Sequence, residues 1–245
     1  MSANDWLEAD WPAPAKVRTL ATTRSGGVSQ PPYASLNLGA HVGDEPEAVA
    51  ANRARLRDEL PAEPAWLNQV HGVTVVDAAA VGASAPDADA SFSRAPGVVC
   101  AAMTADCLPV LLCDEAGTVV AAAHAGWRGL CEGVIEAAVA AMNEPPSRLM
   151  AWLGPAIGPD AFEVGAEVRQ AFLAQDPAAE AAFVDIDNGK YLADIYALAR
   201  LRLEKLGVAR VYGGDFCTVI DRDRFFSYRR DGVTGRMASL IWLEN

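Results

Sequence analysis

The chain has 245 residues, of which 51% are hydrophobic and 21% are charged, a composition typical of globular proteins and too apolar for disorder. The formal net charge of -12 argues against a binder of nucleic acid polymers, because nothing supplies a basic surface. The five cysteines are an odd set within apolar segments, which does not fit a disulfide framework.

The N-terminal segment does not have the pattern of a targeting signal. Residues 1–12 are acidic and lack the basic region and apolar core of a signal peptide. No apolar run approaches the roughly 18 residues that a membrane helix requires. We therefore expect a cytoplasmic protein without a membrane partner.

Apolar periodicity and turn residues predict a mixture of strands and helices. In chain order, the sequence predicts a strand at 16–23, a helix at 46–60, strands at 66–76, 97–103, 109–113 and 118–124, a helix at 127–142, a strand at 149–153, helices at 165–175 and 192–206, and strands at 208–212 and 237–243. The stretch 77–91 is predicted to be a loop. Several strands are apolar on both faces, as in covered sheets. We expect one α/β domain over 1–245, with a tail at 1–15.

Three short segments combine predicted strand ends with reactive side chains: NQVHG, TADC and HAGWRG. They contain His71, Cys107 and His124, and strand ends of covered sheets are common ligand sites. Two imidazoles and a thiolate suit zinc with one coordination position left open. A nucleophile and base pair of Cys107 and His124 is an alternative, and so is a purely structural role for each residue.

Two arginines are candidates for anion binding. Arg128 lies near the predicted start of a helix, where free backbone N–H groups favour anions. Arg24 lies beside two glycines in TRSGGVS, a segment that can form a backbone nest. For each arginine, a solvated surface charge is the alternative interpretation.

Longer segments of the sequence resemble the YfiH-like family, whose members have been called laccase-domain proteins, polyphenol oxidases or purine nucleoside phosphorylases. The resemblance runs from about Thr19 to Leu243 and is carried by TRSGGVSQPPYASLNLGAHVGD, NQVHG, MTADCLPVLL, AAAHAGWRGL, WLGPAIGP, FEVG and FFSYRRDGVTGRMASLIWL. It implies a compact layered fold in which helices cover paired mixed β-sheets, related to cysteine-dependent toxin deamidases.

The resemblance also implies a site and an activity. The metal ligands of the family fall on His71, Cys107 and His124, with zinc as the usual ion. The implied reaction is phosphorolysis of adenosine, inosine, guanosine and 5'-methylthioadenosine to a free base and ribose 1-phosphate (or its methylthio analogue), with adenosine deamination at the same site. Purine nucleosides and phosphate are therefore the expected partners of a monomer or homodimer.

Further residues are candidates for roles in this reaction. Phosphate is expected to bind at Arg24 or at Arg128. Cys107, His124 and Asp106 are the expected catalytic residues, and His41 is a candidate for substrate contact or proton transfer. A loop-stabilising role for His41 and a turn-capping role for Asp106 are the alternatives. Either Tyr228 or Arg229 can reach substrate, or both can serve packing and solvation.

The histidine count limits copper chemistry. The chain has only three histidines, and a blue-copper site alone uses two together with a cysteine. The one remaining imidazole is too few for an additional oxygen-reducing copper cluster, so a multicopper laccase is excluded. Weak copper-dependent polyphenol oxidase activity stays an alternative, because copper outcompetes zinc at many nitrogen and sulfur sites. The other alternative function is that of a metal- or cysteine-dependent amidase that acts on peptidoglycan nucleotide precursors.

Overall fold

The computed structural model describes residues 5–244, and residues 1–4 and 245 lie outside the described part. The strands are β1 (Val17–Ala21), β2 (Val75–Asp77), β3 (Ala90–Ser93), β4 (Cys100–Thr104), β5 (Leu108–Asp114), β6 (Val120–Ala125), β7 (Leu149–Leu153), β8 (Glu163–Gly165), β9 (Phe183–Asp185), β10 (Lys190–Ala193), β11 (Arg210–Gly213) and β12 (Met237–Leu243). The helices are α1 (Pro46–Arg57), α2 (Trp127–Glu132), α3 (Val134–Met142), α4 (Ala166–Gln175), α5 (Ile195–Leu206) and α6 (Tyr228–Asp231).

Two sheets form the centre of the fold. Six strands make a mixed sheet in the order β11-β7-β5-β6-β3-β2, with parallel pairs at its two edges. A second, antiparallel sheet has the order β1-β12-β4. Leu111 and Trp152 of the first sheet share an apolar core with Cys100 and Ile241 of the second, so the two sheets pack face to face.

Helices cover the outer faces of this sheet pair. In β5, Val110 and Leu112 belong to the core formed with α3 and α5, whereas Leu111 and Cys113 face the second sheet. Leu56 of α1 belongs to the core on the outer face of the second sheet. The predicted α/β architecture of helices over paired sheets is therefore confirmed, although the smaller sheet is antiparallel rather than mixed.

A third sheet was not predicted from the sequence. It has the order β8-β10-β9, and β8 lies within the segment FEVG. Each of its strands spans only three or four residues, which is too short for alternation of apolar and polar residues to be recognised.

The predicted strand at 66–76 is wrong for most of its length. Within residues 5–244, this stretch forms one isolated bridge, at Asn68, and enters a strand only at Val75. The backbone turns at His71, whose φ of 62° is incompatible with a strand. The N–H groups around that turn are bonded to the Asp89 carboxylate instead of a strand partner.

The predicted helix at 127–142 is two helices. Gly133 separates α2 from α3 with a left-handed φ of 106°, and glycine adopts that conformation without a steric penalty. The break leaves α2 short, with its N-terminus beside the loop that carries His71.

The beginning of the chain packs on the sheets. The tail predicted over 1–15 is described from residue 5 onward, where Leu7 bridges Ala21 of β1 and Trp6 packs against the core around α1. Among the helices of residues 5–244, none is long and apolar enough to cross a bilayer.

Candidate active site

The three predicted metal ligands lie together at one end of the central strands. Cys107 is on the short connection from β4 to β5, which passes from the three-stranded to the six-stranded sheet. His124 is near the end of β6, in register with Pro109 of β5, and His71 is on the loop before β2. One ligand atom from each residue, a ring nitrogen or the sulfur, lies within 4.8 Å of the others.

Glycines allow the backbone to approach these side chains closely. A Cβ added at Gly126 would lie 2.7 Å from Cδ2 of His71 and 3.1 Å from Sγ of Cys107. A Cβ at Gly129 would lie 2.8 Å from the carbonyl oxygen of Gly72. The glycines of HAGWRG therefore let the first turn of α2 pack directly against the ligands and their loop.

A carboxylate that the sequence did not single out contacts the backbone or side chain of both histidine ligands. The side chain of Asp89 accepts a hydrogen bond from Nδ1 of His124 at 2.8 Å. It also accepts from the backbone N–H groups of Val70 (3.2 Å), His71 (2.9 Å) and Gly72 (2.7 Å). These hydrogen bonds lower the pKa of Asp89 against the opposing effect of burial, so the group stays ionised.

The charges of Cys107 and His124 stabilise each other. Burial raises the pKa of the Cys107 thiol, but the imidazoles of His124 and His71 lower it by more than burial raises it, so that the pKa is about 6. Burial lowers the pKa of His124, whereas Cys107 and Asp89 raise it to about 9. At neutral pH the protein without bound metal therefore holds a thiolate beside an imidazolium.

These residues fit a metal ion. Two imidazoles and a thiolate are a ligand set that zinc accepts, with a fourth position left open, and copper takes the same donor types. Because Nδ1 of His124 is bonded to Asp89, its Nε2 is the nitrogen left to bind. The residues that would hold the ion are His71, Cys107 and His124.

Two cavities of different character meet at Cys107. A cavity of about 180 Å³ is lined mainly by apolar and aromatic side chains: Trp127, Ile157, Phe162 and Ile195. A cavity of about 350 Å³ is lined mainly by polar ones: His41, Gln69, His71, His124 and Arg236. Ala105, Cys107 and Tyr228 belong to the lining of both. A ligand with an apolar part and a polar part can therefore span the metal ligands.

Two further predicted residues lie at these cavities. His41 lines the polar cavity, where burial and the charges of Arg236 and Arg53 lower its pKa. Asp106 lines the apolar cavity, but both carboxylate oxygens are engaged. One accepts from Oγ1 of Thr218 at 2.6 Å and the other from the backbone N–H of Arg229 at 2.6 Å. These contacts are those of a group that holds the cavity wall in place.

The two arginines predicted to bind phosphate lie elsewhere. Arg24 donates to the carbonyl oxygens of Ala34 and Arg222, stacks on Phe226, and lines a separate surface cavity. Arg128 is exposed and stacks on the ring of Trp127, and among residues 5–244 it is not part of the lining of either cavity at Cys107. Neither guanidinium is brought to the metal ligands.

Arg236 and Gln69 were not identified from the sequence. Arg236 belongs to FFSYRRDGVTGR, whose aromatic and basic pattern pointed to Tyr228 and Arg229 instead. Gln69 is in NQVHG itself, and its amide bonds both the N–H and the carbonyl oxygen of Met103, at 2.7 Å each. One general rule could have pointed to a residue such as Asp89. A histidine that binds a metal usually donates its other ring N–H to a carboxylate or a carbonyl, so a carboxylate partner for His71 or His124 was to be expected.

The fold and the site define an α/β protein with a His-Cys-His group that could hold a metal ion and that borders a cleft. Residues 18–244 match the family model described as multi-copper polyphenol oxidoreductase laccase. Together with its relatives, this match places the chain in the laccase-domain, YfiH-like family, as the sequence motifs predicted. The word multi-copper in that description does not extend to this chain, because only His41 remains beyond the two ligand histidines.

Relatives extend over nearly the full chain. It is 60% identical to purine nucleoside phosphorylase PA4543 of Pseudomonas aeruginosa, covering 99% of this chain and 100% of the relative. It is 59% identical to purine nucleoside phosphorylase YfiH of Escherichia coli, covering 95% and 96% respectively. A crystal structure of a Neisseria meningitidis protein is similar with a TM-score of 0.96 and 61% identity, covering 98% of this chain and 100% of that one. YlmD of Geobacillus stearothermophilus has a TM-score of 0.94 and 31% identity, covering 100% and 98%.

Proposed function

We propose that the protein is a zinc-dependent purine nucleoside phosphorylase. The observation that carries the proposal is the meeting of an apolar and a polar cavity at Cys107, beside a three-ligand metal site. Adenosine, inosine, guanosine and 5'-methylthioadenosine are the substrates we propose. The names of the relatives support the reaction class.

The apolar cavity suits the purine base. Trp127, Phe162 and Tyr228 supply aromatic surfaces against which a planar heterocycle can stack. Ile157 and Ile195 complete the apolar lining. With the base in this cavity, the ribose lies near Cys107 and its reactive carbon faces the polar cavity.

The polar cavity suits phosphate. Burial and, after it, the charges of Arg236 and Arg53 lower the pKa of His41, and these two guanidinium groups give the cavity a positive potential where an anion would bind. Arg236 lines the cavity directly and is our candidate for phosphate binding, in place of Arg24 and Arg128. His41 is placed to orient the same anion.

The proposed reaction is a displacement at the anomeric carbon. A phosphate oxygen forms a bond to C1' while the bond from C1' to N9 breaks and leaves its electron pair on the purine, which then takes up a proton. Tyr228 lines both cavities and is the candidate to donate a hydrogen bond to the departing base.

When bound, zinc would act as a Lewis acid. It would lower the pKa of a water molecule and so allow adenosine deamination at the same site. The protein contributes the three ligands and the orientation of His124. We propose this deaminase activity as secondary, because the polar cavity is large enough for phosphate and carries its countercharge.

The test is turnover of adenosine by metal-defined protein with and without phosphate, beside Cys107→Ala. We expect adenine and ribose 1-phosphate only when phosphate is present, and none from the variant. Formation of inosine alone, independent of phosphate, would replace the phosphorylase by a deaminase. Absence of any nucleoside turnover by the zinc-loaded protein would reject the proposal.

A second candidate function is a cysteine-dependent amidase. The observation in its favour is the sequence of contacts from Cys107 through His124 to Asp89, which has the order of a nucleophile, a base and an orienting carboxylate. Such an enzyme would act without phosphate and without metal. Release of an amino acid from an amide-linked nucleotide precursor by metal-free protein, and failure of that protein on nucleosides, would favour it.

A further inference from the structure

We infer that Asp89 is the positioning residue that prepares both histidine ligands for the metal. The inference rests on the metal of the proposed function but not on phosphorolysis. Its basis is that one buried carboxylate fixes a ring nitrogen of His124 and the backbone that carries His71. These two ligands come from distant parts of the chain, and Asp89 is bonded to both.

The contacts of Asp89 are divided between its two oxygens. Oδ1 accepts from Nδ1 of His124 and from the N–H of His71, whereas Oδ2 accepts from the N–H groups of Val70 and Gly72. Three consecutive N–H groups thus converge on one carboxylate, which is the geometry of an anion-binding nest.

The nest accounts for the backbone at His71. A non-glycine residue with a φ of 62° is uncommon and needs compensating contacts to persist. The three N–H groups around it point to Asp89, so the carboxylate stabilises the turn that directs His71 toward Cys107. The backbone carbonyl of Asp89 adds a bond from the N–H of His124, at 2.7 Å.

The same carboxylate fixes the proton on His124. A carboxylate accepts but does not donate, so Nδ1 of His124 keeps its hydrogen, and when a metal displaces the second proton of the imidazolium it is Nε2 that presents a lone pair. Without this contact either tautomer is available, and the one with a proton on Nε2 cannot bind a metal through that nitrogen.

Asp89→Asn separates these effects because an amide has one acceptor. If its oxygen faces His124, its NH₂ faces the N–H groups of Val70 and Gly72, and the loop of His71 is released. If its oxygen faces the loop, its NH₂ donates to Nδ1 of His124 and selects the wrong tautomer. Either orientation weakens one metal ligand.

The experiment is a zinc titration of metal-free protein against a chromophoric chelator, with no nucleoside present. We expect Asp89→Asn to bind zinc about tenfold to hundredfold more weakly than wild type. The matched control is Asp87→Asn, two residues before Asp89 in the sequence. Asp87 is exposed and accepts a hydrogen bond from the side chain of Asn68, and its replacement should leave the zinc affinity unchanged. Wild-type zinc affinity in folded Asp89→Asn, checked by circular dichroism, would overturn the inference.

A second measurement does not depend on the folding of the variant. In zinc-loaded wild type, nuclear magnetic resonance should show a slowly exchanging proton on Nδ1 of His124, and three histidines make its assignment tractable. Metal bound through Nδ1, or an unprotonated Nδ1, would overturn the inference. Because neither experiment uses nucleoside or phosphate, failure of the phosphorylase proposal would leave both results interpretable.

Discussion

Cys107 determines how the site is charged before a metal binds. Its sulfur lies between two imidazoles and at the boundary of two cavities, so its protonation affects both metal binding and substrate contact. Cys100 and Cys113 show the opposite shift, because within the part of the chain that the structure describes no imidazole stands beside their thiols to offset burial. Burial raises the pKa of Cys100 and of Cys113 to about 12, and both belong to the core between the sheets.

Metal-free protein should show a thiolate transition near pH 6 that belongs to Cys107. Below that pH the sulfur takes up a proton and loses affinity for metal, whereas above it the thiolate is already formed. His124→Ala should raise the pKa of Cys107, because burial still acts while the principal stabilising charge is gone. Thiolate absorbance in the ultraviolet measures the transition, and Cys107→Ala is the control. An unchanged midpoint in His124→Ala would contradict this account of the charges.

Arg236 and Arg24 offer a paired test of phosphate recognition. Both donate to backbone carbonyls and stack on an aromatic ring, but only Arg236 lines the cavity at the metal ligands. Loss of a hydrogen bond to a charged group should raise KM for phosphate about tenfold to hundredfold in Arg236→Ala. Arg24→Ala should leave it unchanged. Steady-state kinetics with varied phosphate measure KM for both variants, and melting curves check that both are folded. A raised KM in Arg24→Ala with an unchanged KM in Arg236→Ala would assign phosphate binding to Arg24 instead.

The site was only partly predictable from side-chain identities. The motifs and the resemblance pointed to His71, Cys107 and His124, and the structure brings these three together. Asp89 lies in a stretch predicted to be a loop, and its importance depends on which backbone N–H groups face it. That information is in the path of the chain rather than in the residue type. The same reason separates Arg236 from Arg24, since both lie within two residues of a glycine in a polar segment.

Among strands and helices, the buried ones were the easiest to predict. The segments around β5, β6 and β7 are apolar on both faces and bounded by turn residues, so the pattern located each to within a few residues. Predictions failed where a side chain or a glycine replaced the regular backbone bonding. Asp89 takes the N–H groups of the predicted strand at 66–76, and Gly133 interrupts the predicted helix at 127–142.

The start of α2 provides a test of this close packing. Gly126→Ala would place a Cβ 2.7 Å from His71 and 3.1 Å from the sulfur of Cys107, so a ligand must shift. We expect zinc affinity to fall about tenfold to hundredfold, the range set by the cost of overpacking. A chelator competition titration measures it.

Gly133→Ala is the control for this experiment. It strains a left-handed residue by about 1–2 kcal/mol, and its Cβ would meet only Glu136 at an ordinary distance of 3.5 Å. It should lower the free energy of unfolding and leave zinc affinity unchanged. Equal zinc affinities for Gly126→Ala and wild type would show that the turn accommodates a methyl group and that close packing at Gly126 does not hold the ligands in place.

At the scale of the whole molecule, the site is where segments that are distant in sequence meet. His71 comes from the loop before β2, Cys107 from the crossing between the two central sheets, and His124 from the middle strand β6. The flanking cavities add Tyr228 of α6 and Arg236, just before β12. A metal at this point therefore links the two sheets and the loop through bonds absent from the unfolded chain.

Zinc should therefore stabilise the whole fold and not only its own loop. A ligand that binds the folded state alone raises the free energy of unfolding by about 2.7 kcal/mol at a concentration a hundred times its Kd. Denaturant titrations with and without zinc should show this increase in wild type and lose it in Cys107→Ala. Cys217→Ala is the matched control, because Cys217 lies outside the ligand group, accepts from the N–H of Gly158 and should keep the increase. Equal stabilisation of all three proteins would mean that zinc acts elsewhere on the chain, and the assignment of the three ligands would then be wrong.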